Sequence, residues 1–240
     1  MRIAVISDIH ANLHALEAVL RDIEREGVDE ILCAGDLVGY GPHPNEVVER
    51  IRTLDIRGVQ GNYDEAAANA RLVCGCDYPD PESMAVGAAA LAWTVRELGA
   101  ENKEYLRGLP ARLRFQAGAH DVLLVHGSPR RINEYLYEDA APDVLREIFR
   151  EWPAGVLIVG HTHRPYHRRF EGRHVVNAGS VGQSRDGDPR SSYVLVDFGA
   201  GPGVRVVRVP YDVEATAAGV LRAGLPLELA QALRGGSSYK

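Results

Sequence analysis

The first third of the chain carries its apolar residues in short unbroken runs, whereas the last strand-like stretch alternates strictly. Ile3-Ala4-Val5-Ile6 lacks alternation, as a parallel strand covered on both faces does. The run ends at Asp8-Ile9-His10. Leu13, Leu16, Val19, Leu20 and Ile23 then recur at helical spacing until Gly27 closes the helix. Glu30 to Ala34 predicts a second strand ending at Gly35-Asp36, and 45–54 predicts a helix with Val47, Val48 and Ile51 inward. Ile56 to Val59 predicts a third strand, ending at Gly61-Asn62-Tyr63-Asp64. The order β-α-β-α-β implies a right-handed parallel sheet.

Residues 65–109 change character. Two Ala-rich stretches read as helices around a loop bearing Pro and Asp, a helical excursion beside the sheet. Ala119 to Val125 predicts a strand ending at His126, and Pro142 to Trp152 predicts a helix with proline at its first position. Gly155 to Val159 reads as a buried strand that runs into Gly160-His161-Thr162-His163. Further strands are expected at 174–177, 193–197 and 204–209, the last alternating as an antiparallel strand with one wet face does. Residues 212–240 read as a tail of one or two short helices, broken near Gly224-Leu225-Pro226 and frayed from Gly235 to Ser238. No repeat or linker divides the chain, so 1–240 reads as one domain.

A formal net charge of −6 and a pI near 5.9 argue against a general nucleic-acid binder, which would carry a basic patch. No apolar run would span a bilayer and no signal-peptide pattern precedes the first strand, so a cytoplasmic protein without membrane attachment is expected. Three cysteines, an odd number, make no disulfide framework. Cys74-Gly75-Cys76 lacks the second pair a zinc site needs and reads as incidental, and Cys33 reads as a small buried hydrophobe.

The chemistry gathers at strand ends. Asp8, His10, Asp36, Asn62, His126, His161 and His163 stand there in succession, and open α/β sheets bind ligands beyond the carboxyl ends of their strands. Carboxylates, imidazoles and an amide oxygen together suit borderline divalent ions such as Mn, Fe, Ni, Co or Zn. An all-oxygen set would favour Ca or Mg, and a thiolate set structural zinc. The set exceeds what one tetrahedral ion needs and suits two ions sharing a bridging carboxylate.

Five motifs, Asp8-x-His10, Gly35-Asp36, Gly61-Asn62-x-Asp64, His126 and Gly160-His161-x-His163, occur in this order between Met1 and about Val209. Together they resemble the calcineurin-like metallophosphoesterase superfamily, most closely its compact bacterial and archaeal phosphodiesterase branch. The resemblance implies a four-layer α-β-β-α sandwich of two mixed sheets, with a dinuclear metal site at the C-terminal ends of the strands. It places Asp8, His10 and His163 on one ion and Asn62, His126 and His161 on the other, with Asp36 bridging. It further implies two divalent transition-metal ions, manganese first among them. The activity implied is metal-dependent hydrolysis of a P–O bond by a metal-bridging hydroxide, with a small phosphodiester, nucleotides included, ahead of a monoester. Two such ions, two aspartates and a bridging hydroxide leave about one positive charge, which attracts a phosphodiester to an acidic protein. Metal binding also brings the pKa of water from about 15.7 towards neutrality.

The chain departs from that pattern at Tyr63, where the family usually has a histidine that supports the transition state or protonates the leaving group. A phenol with a pKa of about 10 donates a hydrogen bond but transfers its proton poorly, so Tyr63 either acts as a donor or lines the wall. Asn12 and Arg185 are the candidate phosphate contacts, Arg185 because a guanidinium forks onto such oxygens. Asp64 reads as a helix N-cap, His14 as structural, and His43, His120, His167 and His174 as surface residues. Two other readings stand beside the diesterase. One is a non-catalytic scaffold resembling the retromer subunit, against which the complete ligand set argues. The other is a dinucleoside polyphosphate, phosphomonoester or protein phosphatase, the last disfavoured because Gly35 to Gly41 holds no arginine. The sequence is silent on oligomeric state.

Overall fold

In the computed structural model, which describes residues 1–199 and 201–238, β1 (Arg2–Ile6) lies in the middle of a five-stranded sheet. It pairs in parallel with β2 (Glu30–Cys33), which pairs in parallel with β3 (Arg57–Gly58). On its other side β1 runs antiparallel to β9 (Ser191–Phe198), itself antiparallel to β10 (Pro202–Val209). The second sheet has the order β4 (Arg112–Ala117), β5 (His120–Val125), β6 (Val156–Val159), β8 (Arg173–Asn177), β7 (Tyr166–Phe170). Its three central strands are parallel and its two edges antiparallel.

The unbroken apolar runs now have a cause. Ile3 and Val5 meet Val122, Leu124, Val156 and Ile158 between the sheets, while Ala4 and Ile6 face helices on the outer side. With both faces of a strand buried, alternation disappears. The outer layer on the first sheet comprises α1 (Leu13–Glu26), α2 (Pro44–Thr53), α3 (Asn62–Ala68), α4 (Pro81–Glu97), α5 (Ala100–Gly108), α7 (Val213–Arg222) and α8 (Leu227–Gly235). On the second sheet, α6 (Pro142–Glu151) seats Leu145, Ile148 and Phe149 on Leu123, Val125, Leu157 and Val159. Each such fully buried aliphatic side chain contributes roughly 1.5–3 kcal/mol. The expected four-layer α-β-β-α sandwich of two mixed sheets is the fold.

Four local expectations change. Strands β4 and β7 were not expected. Both are edge strands: β4 alternates regularly, with Arg112 and Arg114 on its exposed face, whereas His167-Arg168-Arg169 breaks the alternation of β7. The third strand shrinks to two residues, and α3 begins at Asn62 rather than after Asp64. The end of the tail is not frayed at Gly236. That residue closes α8 at φ +56°, and its carbonyl accepts the Gly187 N–H at 2.8 Å.

Candidate metal centre

The loops after β1, β2, β5 and β6, together with the first residue of α3, converge on one buried cluster. Five of its side chains hang from backbone in the left-handed region: Asp8 (φ 51°), His10 (49°), Asp36 (55°), His161 (64°) and His163 (57°). Each such residue costs about 1–3 kcal/mol, so the surrounding structure must hold it in place. Hydrogen bonds from Asp8 N–H to Gly35 O (2.9 Å) and from His10 N–H to Asp36 O (3.0 Å) tie the first loop to the second. The motif glycines allow the loops to touch. A Cβ on Gly61 would stand 2.1 Å from Asp36 Oδ1, and one on Gly160 would stand 2.1 Å from Ser7 Oγ.

Two groups result, Asp8–His10–His163 and Asp36–His126–His161, each with its donor atoms within 4.8 Å of one another. In the first, His10 Nδ1 donates to Val38 O (3.0 Å) and His163 Nδ1 to Gln183 O (2.5 Å). A carbonyl only accepts, so each Nδ1 carries a proton and the two Nε2 atoms are turned toward each other at 3.1 Å. In neutral rings both are acceptors, which a cation between them would satisfy. Asp8 divides its oxygens in the same sense. Oδ2 accepts Ser7 Oγ–H (2.6 Å) and the His161 N–H (3.0 Å), whereas buried Oδ1 has no hydrogen-bond partner among the described residues.

In the second group His126 Nδ1 donates to Ala34 O (2.8 Å), leaving Nε2 directed at Asn62 Oδ1 (3.0 Å) and His161 Nδ1 (3.2 Å). Asp36 joins the groups. Its Oδ1 accepts the Tyr63 N–H (2.8 Å), and its Oδ2 lies 3.7 Å from His10 Nε2 and 3.4 Å from His126 Nε2. One carboxylate oxygen therefore faces both sets. An orphaned buried carboxylate oxygen beside convergent imidazole lone pairs fits divalent cations, and the nitrogen–oxygen mixture is that of borderline transition metals.

A family model, the calcineurin-like phosphoesterase superfamily domain, matches residues 1–201. The chain belongs to that superfamily. An uncharacterized protein of Methanocaldococcus jannaschii is 36% identical over 96% of each chain. The crystal structure of a metallophosphoesterase from Sphaerobacter thermophilus superposes with a TM-score of 0.80 at 40% identity, covering 98% of this chain and 99% of that one. That of a hypothetical protein from Pyrococcus horikoshii reaches 0.85 at 26% identity over 99% of both. Family, fold and ligand groups together make this chain a metal-dependent phosphoesterase.

Electrostatics around this phosphoesterase centre hold His161, His163 and Asp8 in their metal-binding states and His126 in its protonated one. Burial pushes His161 down to about 3, aided by His126, and burial with Arg185 pushes His163 down to about 4, so both imidazoles are neutral. Burial opposes charge on Asp8, yet His163, His10 and His126 hold its carboxyl well below the usual range. Burial likewise opposes charge on His126, but Asp36 and then Asp8 outweigh it and lift the imidazole to about 10.

The residues placed here by sequence meet different fates. All seven expected ligands fall in the cluster. Arg185 stands over the Tyr40 ring (5.8 Å to its centroid) and lines, with Tyr40, Cys76, Tyr78 and Tyr135, a pocket with about 90 Å³ of free space. Asn12 is 1% exposed and fully engaged: Oδ1 caps α1 at Ala15 N–H (3.1 Å) and accepts Thr216 Oγ–H, and Nδ2 donates to Gly182 O. Contact with substrate would cost those bonds. Tyr63, also 1% exposed, turns its hydroxyl to Tyr78 (3.2 Å) and presents its ring to His10.

Three contributors escaped sequence reasoning. Asp64 is not the N-cap of α3, a place held by Gly61, but its third residue. Its carboxylate accepts the N–H groups of Asp36 (2.9 Å), Leu37 (2.8 Å), Val38 (3.3 Å) and Gly61 (3.0 Å), while burial and then Asp36 push it up to about 7. Tyr135 packs on His161, 4.1 Å between ring centroids, as Tyr40 packs on His10 at 4.6 Å. Cys76 Sγ accepts from Asn62 Nδ2 at 3.2 Å, so the C-x-C pair is not incidental to the site. No sequence signal marked the last two.

Proposed function

We propose that the chain is a phosphodiesterase hydrolysing a small phosphodiester, nucleotide diesters included, at two divalent ions, with manganese the first candidate. Asp8, His10 and His163 would hold one ion and Asn62, His126 and His161 the other. The observation that carries this reading is the position of Asp36 Oδ2, facing a histidine of each group. When bound, two such ions supply Lewis-acid charge and lower the pKa of a water to near neutrality.

The chain's own residues do the rest. With two divalent ions and one hydroxide, Asp36 and Asp8 would leave the loaded centre about one positive charge, which matches a phosphodiester monoanion better than a monoester dianion. Arg185, above Tyr40 at the pocket, would fork onto the non-bridging phosphate oxygens. Tyr40 and Tyr135, each against a ligand histidine, line the pocket beside the centre. Tyr63 keeps its hydroxyl with Tyr78, so leaving groups that depart without a protein proton are favoured.

The test is release of p-nitrophenol from bis(p-nitrophenyl) phosphate and from p-nitrophenyl phosphate, with Mn²⁺ and with EDTA. Faster, EDTA-sensitive turnover of the diester supports the proposal. Preference for the monoester overturns the diesterase assignment, and a fully metal-loaded protein inert to both supports the scaffold reading.

A further inference from the structure

Asn62 has one amide to spend on two tasks. Its Oδ1 faces His126 Nε2, and its Nδ2 donates both to Cys74 O (3.1 Å) and to Cys76 Sγ (3.2 Å). The Cys74-Gly75-Cys76 turn therefore decides which way the amide points. The turn is itself fixed from outside. Gly75, at φ +76°, has its carbonyl bonded by Asn133 Nδ2 (2.6 Å), and Cys74 Sγ lies 3.3 Å from the Tyr78 hydroxyl. Within it the two sulfurs are free thiols 2.8 Å apart, Cys74 buried and Cys76 lining the pocket.

We propose that Cys76 is a positioning residue for Asn62, and that a Cys74–Cys76 disulfide disengages Asn62 and weakens the metal position it serves. The inference rests on Asn62 being a metal ligand, as the proposed function has it. A peroxide entering the pocket meets the thiol pair. One thiol takes one peroxide oxygen, giving a sulfenic acid and one water. The other thiol then attacks that sulfur and a second water leaves, so two thiols are oxidised by two electrons and one peroxide is reduced. Bonding draws the sulfurs to about 2.05 Å and imposes a torsion near 90°, which moves both acceptors of the Asn62 amide together. Outer contacts that orient a ligand typically account for about 10–100-fold in metal affinity.

The test uses the whole protein, stripped with EDTA, desalted, and either kept in dithiothreitol or treated with hydrogen peroxide. Intact mass, thiol count after denaturation and Mn²⁺ titration are then read. Oxidation is expected to remove about 2 Da and to lower the count of three thiols to one, because Cys33 is buried in β2. One Mn²⁺ affinity falls about 10–100-fold and dithiothreitol restores it. Cys76→Ser, which keeps an acceptor but forms no bridge, should bind Mn²⁺ like the wild type and ignore peroxide. Cys76→Ala should bind one Mn²⁺ more weakly whatever the redox state. A bridge that leaves both affinities unchanged, a thiol count that stays at three, or Cys76→Ala with wild-type affinities overturns the proposal. None of these readouts is turnover, so loss of the phosphodiesterase assignment would register separately.

Discussion

The Asp64 carboxylate accepts the backbone N–H of Asp36 at 2.9 Å, so a residue that faces both ligand groups is set by one that reaches neither. The same carboxylate takes three further N–H groups, which makes it the clamp of the Gly35–Val38 turn. Removing it leaves buried donors unpaired at about 1–3 kcal/mol each. Asp64→Ala should cost the metal-free protein about 3 kcal/mol or more in urea unfolding. A midpoint unchanged from the wild type would show that the turn holds itself.

Asp36 and the two GHTH histidines should separate by metal count. Asp36→Asn is expected to lose both ions, whereas His161→Ala and His163→Ala should each retain one, from opposite groups. Metal analysis after gel filtration reads the stoichiometry directly. Full loading of a folded Asp36→Asn protein would remove the shared-carboxylate model.

His126 should make metal binding release a proton. Asp36 and Asp8, against burial, hold its imidazole at about 10, so at pH 7.5 the metal-free protein carries that proton and a cation must expel it. Calorimetric Mn²⁺ titrations in two buffers of different ionisation enthalpy measure the release, expected near about one proton per protein. The sign for stability follows. A raised folded-state pKa stabilises fully below the unfolded value of about 6.5, and that contribution is lost as pH rises through about 10. The melting temperature of metal-free protein should therefore fall across that window.

Tyr63→Phe should change aryl diester turnover by less than about threefold, because the hydroxyl is already committed to Tyr78. A loss of about 100-fold or more would restore Tyr63 as a proton donor.

Arg185→Ala should raise KM for the aryl diester by about tenfold with a smaller change in Mn²⁺ affinity, since the guanidinium borders the pocket and reaches ligand His163 through its charge. Unchanged KM would place Arg185 outside substrate binding.

The chain's pattern alone indicated the parallel β1-β2-β3 core, the antiparallel character of β10 and the seven side chains of the cluster. Period, strand ends and ligand chemistry are local properties, written in consecutive residues such as Asp8-Ile9-His10 and Gly160-His161-Thr162-His163. The edge strand β7 was illegible because His167-Arg168-Arg169 interrupts its alternation, whereas β4 alternates from Arg112 to Ala117 and carried a strand signal. Only the tertiary structure decided what Asp64, Cys76 and Tyr135 do. Asp64 stands 28 residues from Asp36, Cys76 stands 14 from Asn62, and Tyr135 meets His161 across the fold. Such contacts depend on how loops from different strands close over one point, and no spacing along the chain encodes that closure.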